Sequence, residues 1–290
     1  MEKKMDKDQG GQRSLRLDIV GLGSGGLNGI TLAAQKSLKW AEEVYGYGLY
    51  LEQAKPHVKK ARFHKSGMTS EMRRAEEALE SAMKGRRTVM VSGGDAGVYA
   101  MAGAIFEVAA AKKIPLGREE GRLRIKVVPG VPALVASAAL LGAPLTHDFC
   151  AVSLSDRLTP WELIEKRLAL AAEGDFVICL YNPKSKGRDW QLGRSVEILM
   201  EHMEAERPVG IVARAGRPNQ VITVCSLAEL PSAEVDMQTL VVIGNRSTFT
   251  YDGFLITPRG YVNKYGPEGP RKKNAQNSSD EASAAEVLEG

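Results

Sequence analysis

Two glycine-rich segments and one carboxylate are the residues of this sequence whose types and spacing best suit ligand chemistry. The first segment, Gly21-Leu22-Gly23-Ser24-Gly25-Gly26, follows the apolar run at 17–20. Gly21, Gly23 and Gly26 have the G-x-G-x-x-G spacing that lets main chain close on a dinucleotide pyrophosphate. That reading also needs an acidic residue about 20 positions further on, at the end of the second strand, to hold the ribose hydroxyls. The stretch there is VYGYGLY, and Glu42 and Glu43 stand ahead of it, so the ribose anchor is missing from its place. The glycines by themselves establish a tight turn or close approach of main chain, which residues without Cβ permit.

The second segment, Ser92-Gly93-Gly94-Asp95-Ala96-Gly97-Val98-Tyr99, leaves a strand-like run with three glycines and one carboxylate together. An adenosyl ligand needs exposed main chain of this kind for its adenine and amino-acid ends, and a cationic sulfonium tolerates a carboxylate nearby. The plainer role for Asp95 is to cap the helix that follows. Ser24 lacks the G-x-S-x-G setting of a hydrolase nucleophile, because Leu22 stands where the first glycine belongs. There is no H-E-x-x-H, and Cys150, Cys179 and Cys225 are far apart without a C-x-x-C pair, so neither a metal site nor a disulfide framework is expected.

The elements that must position these loops read as alternating strands and helices. Strand patterns fall at 17–20, 88–92 and 125–128, with helical spacing at Ile30, Ala34, Leu38 and Ala41, at Met72, Ala75, Leu79 and Ala82, through Ala111, and over 133–141. Gly142-Ala143-Pro144 breaks the run, and a second series begins with the strand at 150–154. It continues with helix 161–172, strand 176–180, helix 189–203, and strands 209–213, 220–225 and 239–244. The pattern predicts an α/β fold of two tandem α/β domains, 15–144 and 145–265, with a ligand cleft between them. Residues 1–14 and 266–290 are polar and poor in β-branched and aromatic residues, and are expected to be disordered extensions.

Composition narrows the class of protein. With 290 residues, 43% hydrophobic and 26% charged, the chain can bury one large core or two modest ones. Its net charge of +4 is too small and too evenly spread to argue for nucleic acid, though it suits a polyanionic small substrate. No run approaches the roughly 20 apolar residues of a membrane span, and the N-terminus has no signal-peptide core, so a cytoplasmic protein is expected.

The first glycine loop, the Gly93-Gly94-Asp95 loop and the turn Pro129-Gly130-Val131-Pro132-Ala133 occur in the order in which the tetrapyrrole methylases carry them. The chain resembles that family from about Leu17 to Tyr261. Three further segments, SLSDRLTPWELIEKRL from Ser153, LYNPKSKGRDWQL from Leu180 and ITPRGY from Ile256, are similar to the branch that methylates carbon 17 of precorrin-3B in cobalamin synthesis. The resemblance implies S-adenosylmethionine folded in the interdomain trough, S-adenosylhomocysteine as product, a tetrapyrrole across the open side, and a homodimer. It implies donor contacts at Ser24, Gly93, Gly94, Asp95, Val98, Pro132, Ala133, Asn182 and Ala215. One departure bears on Ser24: the family usually has Gly-Pro-Gly where this chain has Gly23-Ser24-Gly25, and without the fixed φ of proline the loop is looser before binding.

Methyl transfer from a sulfonium to carbon is an in-line displacement whose thioether leaves without protonation or a metal. Alignment supplies on the order of 7–11 kcal/mol of barrier reduction, against roughly 3–5.5 kcal/mol from a general base, so no dominant triad is expected. The resemblance also implies ring contraction with proton movement, for which Asp95, His147, Asp156 and Tyr181 are the candidate acids or bases. His57, His64 and His202 read as exposed or structural. A polycarboxylate substrate calls for basic side chains, first Lys184, Lys186 and Arg188, then Arg214, Arg217, Arg246 and Arg259 near strand ends. The rival readings are a dinucleotide-dependent oxidoreductase, a tetrapyrrole carrier that consumes no methyl donor, and methylases of the same fold acting elsewhere.

Overall fold

The computed structural model of the chain describes residues 15–26, 29–67, 69–185 and 187–267. The expected extension at 1–14, and that at 266–290 except Gly266 and Pro267, lie outside the described residues. The first half builds a parallel sheet from β1 (Arg16–Gly21), β2 (Glu43–Tyr47), β3 (Arg62–Ser66), β4 (Thr88–Ser92) and β5 (Arg124–Val128), in the order β3-β2-β4-β1-β5. β1 and β4 are buried along nearly their whole length because both their faces are covered. On one face α1 (Leu32–Trp40) and α2 (Gly48–Ala54) bring Ala34, Leu38 and Leu51 against Val20, Val44, Val89 and Val91. On the other, α3 (Glu71–Met83) and α4 (Met101–Ala111) pack Ala75, Leu79 and Ile105 against Leu17, Ile19 and Met90. Thr31 opens α1 as its N-cap, its hydroxyl oxygen accepting from the Ala34 N–H at 3.1 Å.

Helix α5 (Ala133–Leu141) leads away from this sheet. Its Leu134 and Leu141 pack on Val177, Cys179, Val212, Leu240 and Val242, which belong to a second sheet. The expected segment 15–144 includes this helix, whose apolar side chains lie against the second sheet. A helix-breaking Gly-Ala-Pro segment marks where an element ends, not where one core gives way to another. Gly210 makes the contact possible, since a Cβ there would meet the Leu141 side chain at 2.5 Å.

The short strand β6 (Gly142–Ala143) joins a small sheet described below. The second large sheet comprises β7 (Phe149–Ser153), β8 (Val177–Tyr181), β9 (Pro208–Ala213), β10 (Val221–Ser226) and β11 (Thr239–Ile243), in the order β10-β9-β11-β8-β7. Only the β7–β8 pair is parallel. Opposite α5, helices α6 (Trp161–Glu173) and α7 (Trp190–Met200) bury Leu168, Val196 and Leu199 against Ile178, Leu180, Ile211 and Val241. Strands β12 (Phe249–Tyr251) and β13 (Phe254–Ile256) form a hairpin beside β6, and α8 (Tyr261–Tyr265) follows. Among the described residues, no helix is long and apolar enough to cross a membrane.

The three cysteines are free thiols. Burial pushes the Cys150 thiol up to about 11 and the Cys179 thiol up to about 12, because the low-dielectric core disfavours a thiolate. An unfolded cysteine ionises near 8.5, so only the unfolded chain gives up these protons between about pH 8.5 and 11, and stability falls across that window. The melting temperature should therefore drop between pH 7.5 and 9.5, and Cys179→Ala should flatten that slope. A Cys179→Ala slope as steep as the wild type's would show that the buried thiol contributes nothing to it.

Candidate active site

The carboxyl ends of β1, β4 and β5 bring three loops into main-chain contact. The Gly23 N–H donates to the Gly94 carbonyl at 3.0 Å and the Gly94 N–H returns to the Gly23 carbonyl at 2.8 Å, so the first and second glycine loops form a two-bond bridge. A Cβ at Gly21 would lie 2.7 Å from both the Gly130 nitrogen and the Gly94 oxygen, and one at Gly130 would lie 2.2 Å from the Gly94 oxygen. Glycine at 21 and 130 is thus a packing requirement. Gly94, at φ +61°, needs it for conformation.

Asp95 ties these loops together. Its Oδ1 accepts from the Gly97 N–H at 2.7 Å and its Oδ2 from the Gly130 N–H at 3.0 Å. The helix-capping alternative is corrected by the geometry, because α4 begins at Met101 with Ala100 as its N-cap, and the carboxylate turns instead to the Pro-Gly turn.

From this junction a cavity extends to the second sheet. All nine residues expected to contact a donor line it: Ser24, Gly93, Gly94, Asp95, Val98, Pro132, Ala133, Asn182 and Ala215. Its floor is apolar, with Val212 and Leu240 from β9 and β11, and its rim near β4 is the half-buried main chain of Gly93 and Gly94. Asn182 and Arg214, which end β8 and β9, both adopt positive φ (53° and 54°), a conformation Asn tolerates better than most residues. The Asn182 amide donates to the Ser153 hydroxyl at 2.9 Å, which holds the β8 end against β7.

Two tyrosines close the side facing β7. Tyr99, at φ +50°, donates to the Ala151 carbonyl at 3.0 Å, and its ring lies 5.0 Å from that of Tyr181. The Tyr181 oxygen accepts from the Leu134 N–H at 3.0 Å, which leaves its own hydrogen to donate elsewhere. Burial pushes the Tyr181 phenol up to about 12, so it stays protonated at any physiological pH. Tyr50 reaches the cavity from α2, and Gly93 has no side chain because a Cβ there would meet the Tyr50 ring at 2.4 Å.

The other candidates are dispersed. His147 is exposed, its Nδ1 accepting from the Asp148 N–H, and Asp156 accepts from the Gln191 amide at 3.0 Å; neither lines the cavity. Arg188 points inward, its Nη1 donating to the Leu154 and Asn182 carbonyls at 2.7 and 2.9 Å. It is buried and clamps the loop after β8 to the loop after β7, which leaves its guanidinium turned away from solvent. Arg214 lines the cavity but is paired with Asp236 at 2.8 Å. Lys184 lines a neighbouring hollow above β9 and β10, Arg246 pairs with Asp175, and Arg259 is exposed outside both. Lys186 lies outside the described residues.

Sequence reasoning passed over Tyr50, Tyr99, Val212 and Leu240, which also line the cavity. Tyr50 belongs to the VYGYGLY stretch, weighed only as a strand, and no spacing distinguishes its cavity-facing ring from a core aromatic. Glu43, expected ahead of the second strand, is its first residue, buried and bonded to His64 (2.5 Å) and Arg86 (2.8 Å) at the end opposite the glycine loops. It therefore cannot hold a ribose at the cavity, and Glu42, just before it and paired with Arg87 at 3.3 Å, lies at the same far end.

A family model described as Tetrapyrrole (Corrin/Porphyrin) Methylases matches residues 16–231. A probable cobalt-factor III C(17)-methyltransferase of Salmonella typhimurium is 42% identical over 85% of this chain and 99% of its own length. A precorrin-3B C(17)-methyltransferase of a Sinorhizobium species is 44% identical over 85% of this chain and 97% of its own length. The crystal structure of the methyltransferase CobJ superposes with a TM-score of 0.78 at 40% identity, covering 83% of this chain and 99% of that one.

The loop junction makes a direct prediction about glycine. Gly130→Ala forces main chain apart and should destabilise the protein by about 1–3 kcal/mol, as overpacking does. Gly193→Ala, in α7 with open space around its Cβ, should instead stabilise by roughly 0.5–1 kcal/mol. Denaturant unfolding of both variants measures this, and equal effects would contradict the interlock.

Proposed function

This chain belongs to the tetrapyrrole (corrin/porphyrin) methylase family, and we propose that it methylates carbon 17 of a precorrin-3-type macrocycle from S-adenosylmethionine, with the associated ring contraction, in cobalamin synthesis. The observation that carries the reading is the single cavity in which the glycine junction, Pro132-Ala133, Asn182 and Ala215 meet. Its residues suit the donor: an apolar floor for a purine and, for its hydrogen-bonding ends, glycine main chain at Gly93 that takes no part in the Gly23–Gly94 bridge. When bound, S-adenosylmethionine supplies an electrophilic methyl on a sulfonium.

In this reading the protein acts mainly by position. The bridged loops fix one end of the donor site and the β8 and β9 ends fix the other, so alignment is set before the macrocycle arrives. Asp95 is a positioning residue that keeps the Pro-Gly turn on the glycine loop. Tyr181, neutral and with a free hydrogen, is the cavity group suited to donate a proton or hydrogen bond during contraction. His147 and Asp156, outside the cavity, are given no role. The net charge of +4 suits a polycarboxylate by diffuse attraction that weakens with salt.

We also place the enzyme in the cytoplasm as a homodimer. Three free thiols suit a reducing compartment, and exposed Phe249, Tyr251, Phe254 and Tyr261 on the β12–β13 hairpin and α8 offer an apolar face for a second copy.

Incubation with methyl-labelled S-adenosylmethionine and metal-free or cobalt-bearing substrate, with the product mass read side by side, tests the activity. One methyl should reach the macrocycle, and the substrate that accepts it identifies the route; label that stays off both macrocycles would refute the reading. Nicotinamide cofactors should give no saturable heat in calorimetry, since the rival oxidoreductase requires it. Asp95→Ala should weaken adenosylhomocysteine binding by about tenfold or more, as two charge-assisted hydrogen bonds that shape the site are lost. Tyr181→Phe should lower kcat by roughly 10²-fold or more without moving the pH profile below pH 10, because the phenol does not ionise there. A profile whose alkaline limb disappears in Tyr181→Phe would assign a different ionisation to this residue.

A further inference from the structure

Three charged side chains line the cavity, and two of them are committed to the protein. Both oxygens of Asp95 accept main-chain N–H groups, and Arg214 holds the Asp236 carboxylate and, through Nε, the Asn219 carbonyl at 3.0 Å. Arg217 is the third. The residue is half-buried, and its guanidinium forms no hydrogen bond or ion pair with any described residue. Tyr50 stands close enough to feel its charge, but burial holds that phenol in its neutral form, so it supplies no counter-charge.

The rest of Arg217 is held firmly. Its N–H donates to the Arg214 carbonyl and its carbonyl accepts from the Gln220 N–H, both at 3.0 Å, which closes the turn between β9 and β10. Its stem crosses the seam to the first glycine loop, where a Cβ on Gly25 would lie 2.5 Å from the Arg217 Cγ and 3.1 Å from its Nε. At the next positions the two loops press main chain on main chain, a Cβ on Gly26 lying 2.6 Å from the Gly216 oxygen. The glycines at 25 and 26 therefore give passage to this arginine and its turn. A partly desolvated guanidinium fixed by packing and left without an anion is unfavourable in the protein alone and suited to a bidentate acidic ligand.

We propose that Arg217 takes a ligand carboxylate in a fork-like pair across the seam between the first glycine loop and the β9–β10 turn. This rests on the reading of the cavity as the site of methyl donor and macrocycle, both of which carry carboxylates. The pair joins the two sheets: bound acid, arginine stem and glycine loop become one contact, so the ligand bears on the packed seam between the first loop and the β9–β10 turn.

The test uses Arg217→Gln and Arg217→Lys in the full-length enzyme. Calorimetry measures adenosylhomocysteine, which carries the amino-acid carboxylate, and 5′-methylthioadenosine, which keeps the nucleoside and thioether without it; steady-state kinetics measures the macrocycle KM. If the acid is the donor's, Arg217→Gln weakens adenosylhomocysteine about tenfold or more and leaves methylthioadenosine within twofold. If the acid is the macrocycle's, both nucleosides bind as in the wild type and KM rises by about the same factor. In either case Arg217→Lys recovers only part of the loss, since it keeps the charge and lacks the fork. The proposal is overturned if neither adenosylhomocysteine affinity nor KM changes, or if methylthioadenosine weakens as much as adenosylhomocysteine, which would mean the side chain only packs the loop. Failure of the wild-type enzyme to bind adenosylhomocysteine would instead remove the underlying reading of the cavity.

Discussion

Main-chain atoms of three loops touch at the carboxyl ends of β1, β4 and β5, with no room for a Cβ at Gly21 or Gly130. Most of the site depends on this contact. It places the Gly93–Gly94 main chain at the rim, it turns the chain at Gly130 so that α5 leaves the first sheet for the second, and it gives Asp95 two N–H groups to hold. A carboxylate bonded in this way staples two loops while still lining the cavity, so one residue serves shape and charge together. A loop freed from this junction would have to lose conformational entropy on binding; the interlock has it lost already in folding.

The second sheet completes the site by different means. Its strand ends at Asn182 and Arg214 are held in left-handed conformations, and the buried Arg188 binds the Asn182 carbonyl from behind. Tyr99 crosses from the first half to the Ala151 carbonyl and meets Tyr181, whose oxygen is anchored on the first turn of α5. The contacts that span the two sheets are thus a few polar and aromatic ones around the cavity, while the apolar clusters belong to one sheet or the other.

The regular elements were largely legible because their patterns are local. The strand at Thr88–Ser92 and the helix at Ala133–Leu141 fall where the sequence pattern puts them, since apolar runs and punctuating glycine or proline decide both. α2 and the small β6–β12–β13 sheet were not legible: α2 begins at a glycine without a side-chain cap, and two- or three-residue strands have no period to read. The residues expected to contact a donor came from motif resemblance, and one cavity gathers them all. What the motifs could not convey is direction. Arg188 sits in a basic loop that reads as a site for a polycarboxylate, yet its guanidinium turns inward to two carbonyls, because nothing in residue type alone distinguishes a clamp from a docking charge. Asp95 reads equally as a cap, and only the distance to Gly130 reveals the staple.

The central claim is that the interlocked glycine loops and the β8 and β9 ends form one donor site. A crystal structure with adenosylhomocysteine tests it most directly. The ligand should lie between Gly93–Gly94, Pro132–Ala133 and Asn182–Ala215, with Asp95 still bonded to the Gly130 N–H. Ligand bound elsewhere while this cavity stays empty, or bound here only after the Asp95–Gly130 contact has opened, would contradict the account.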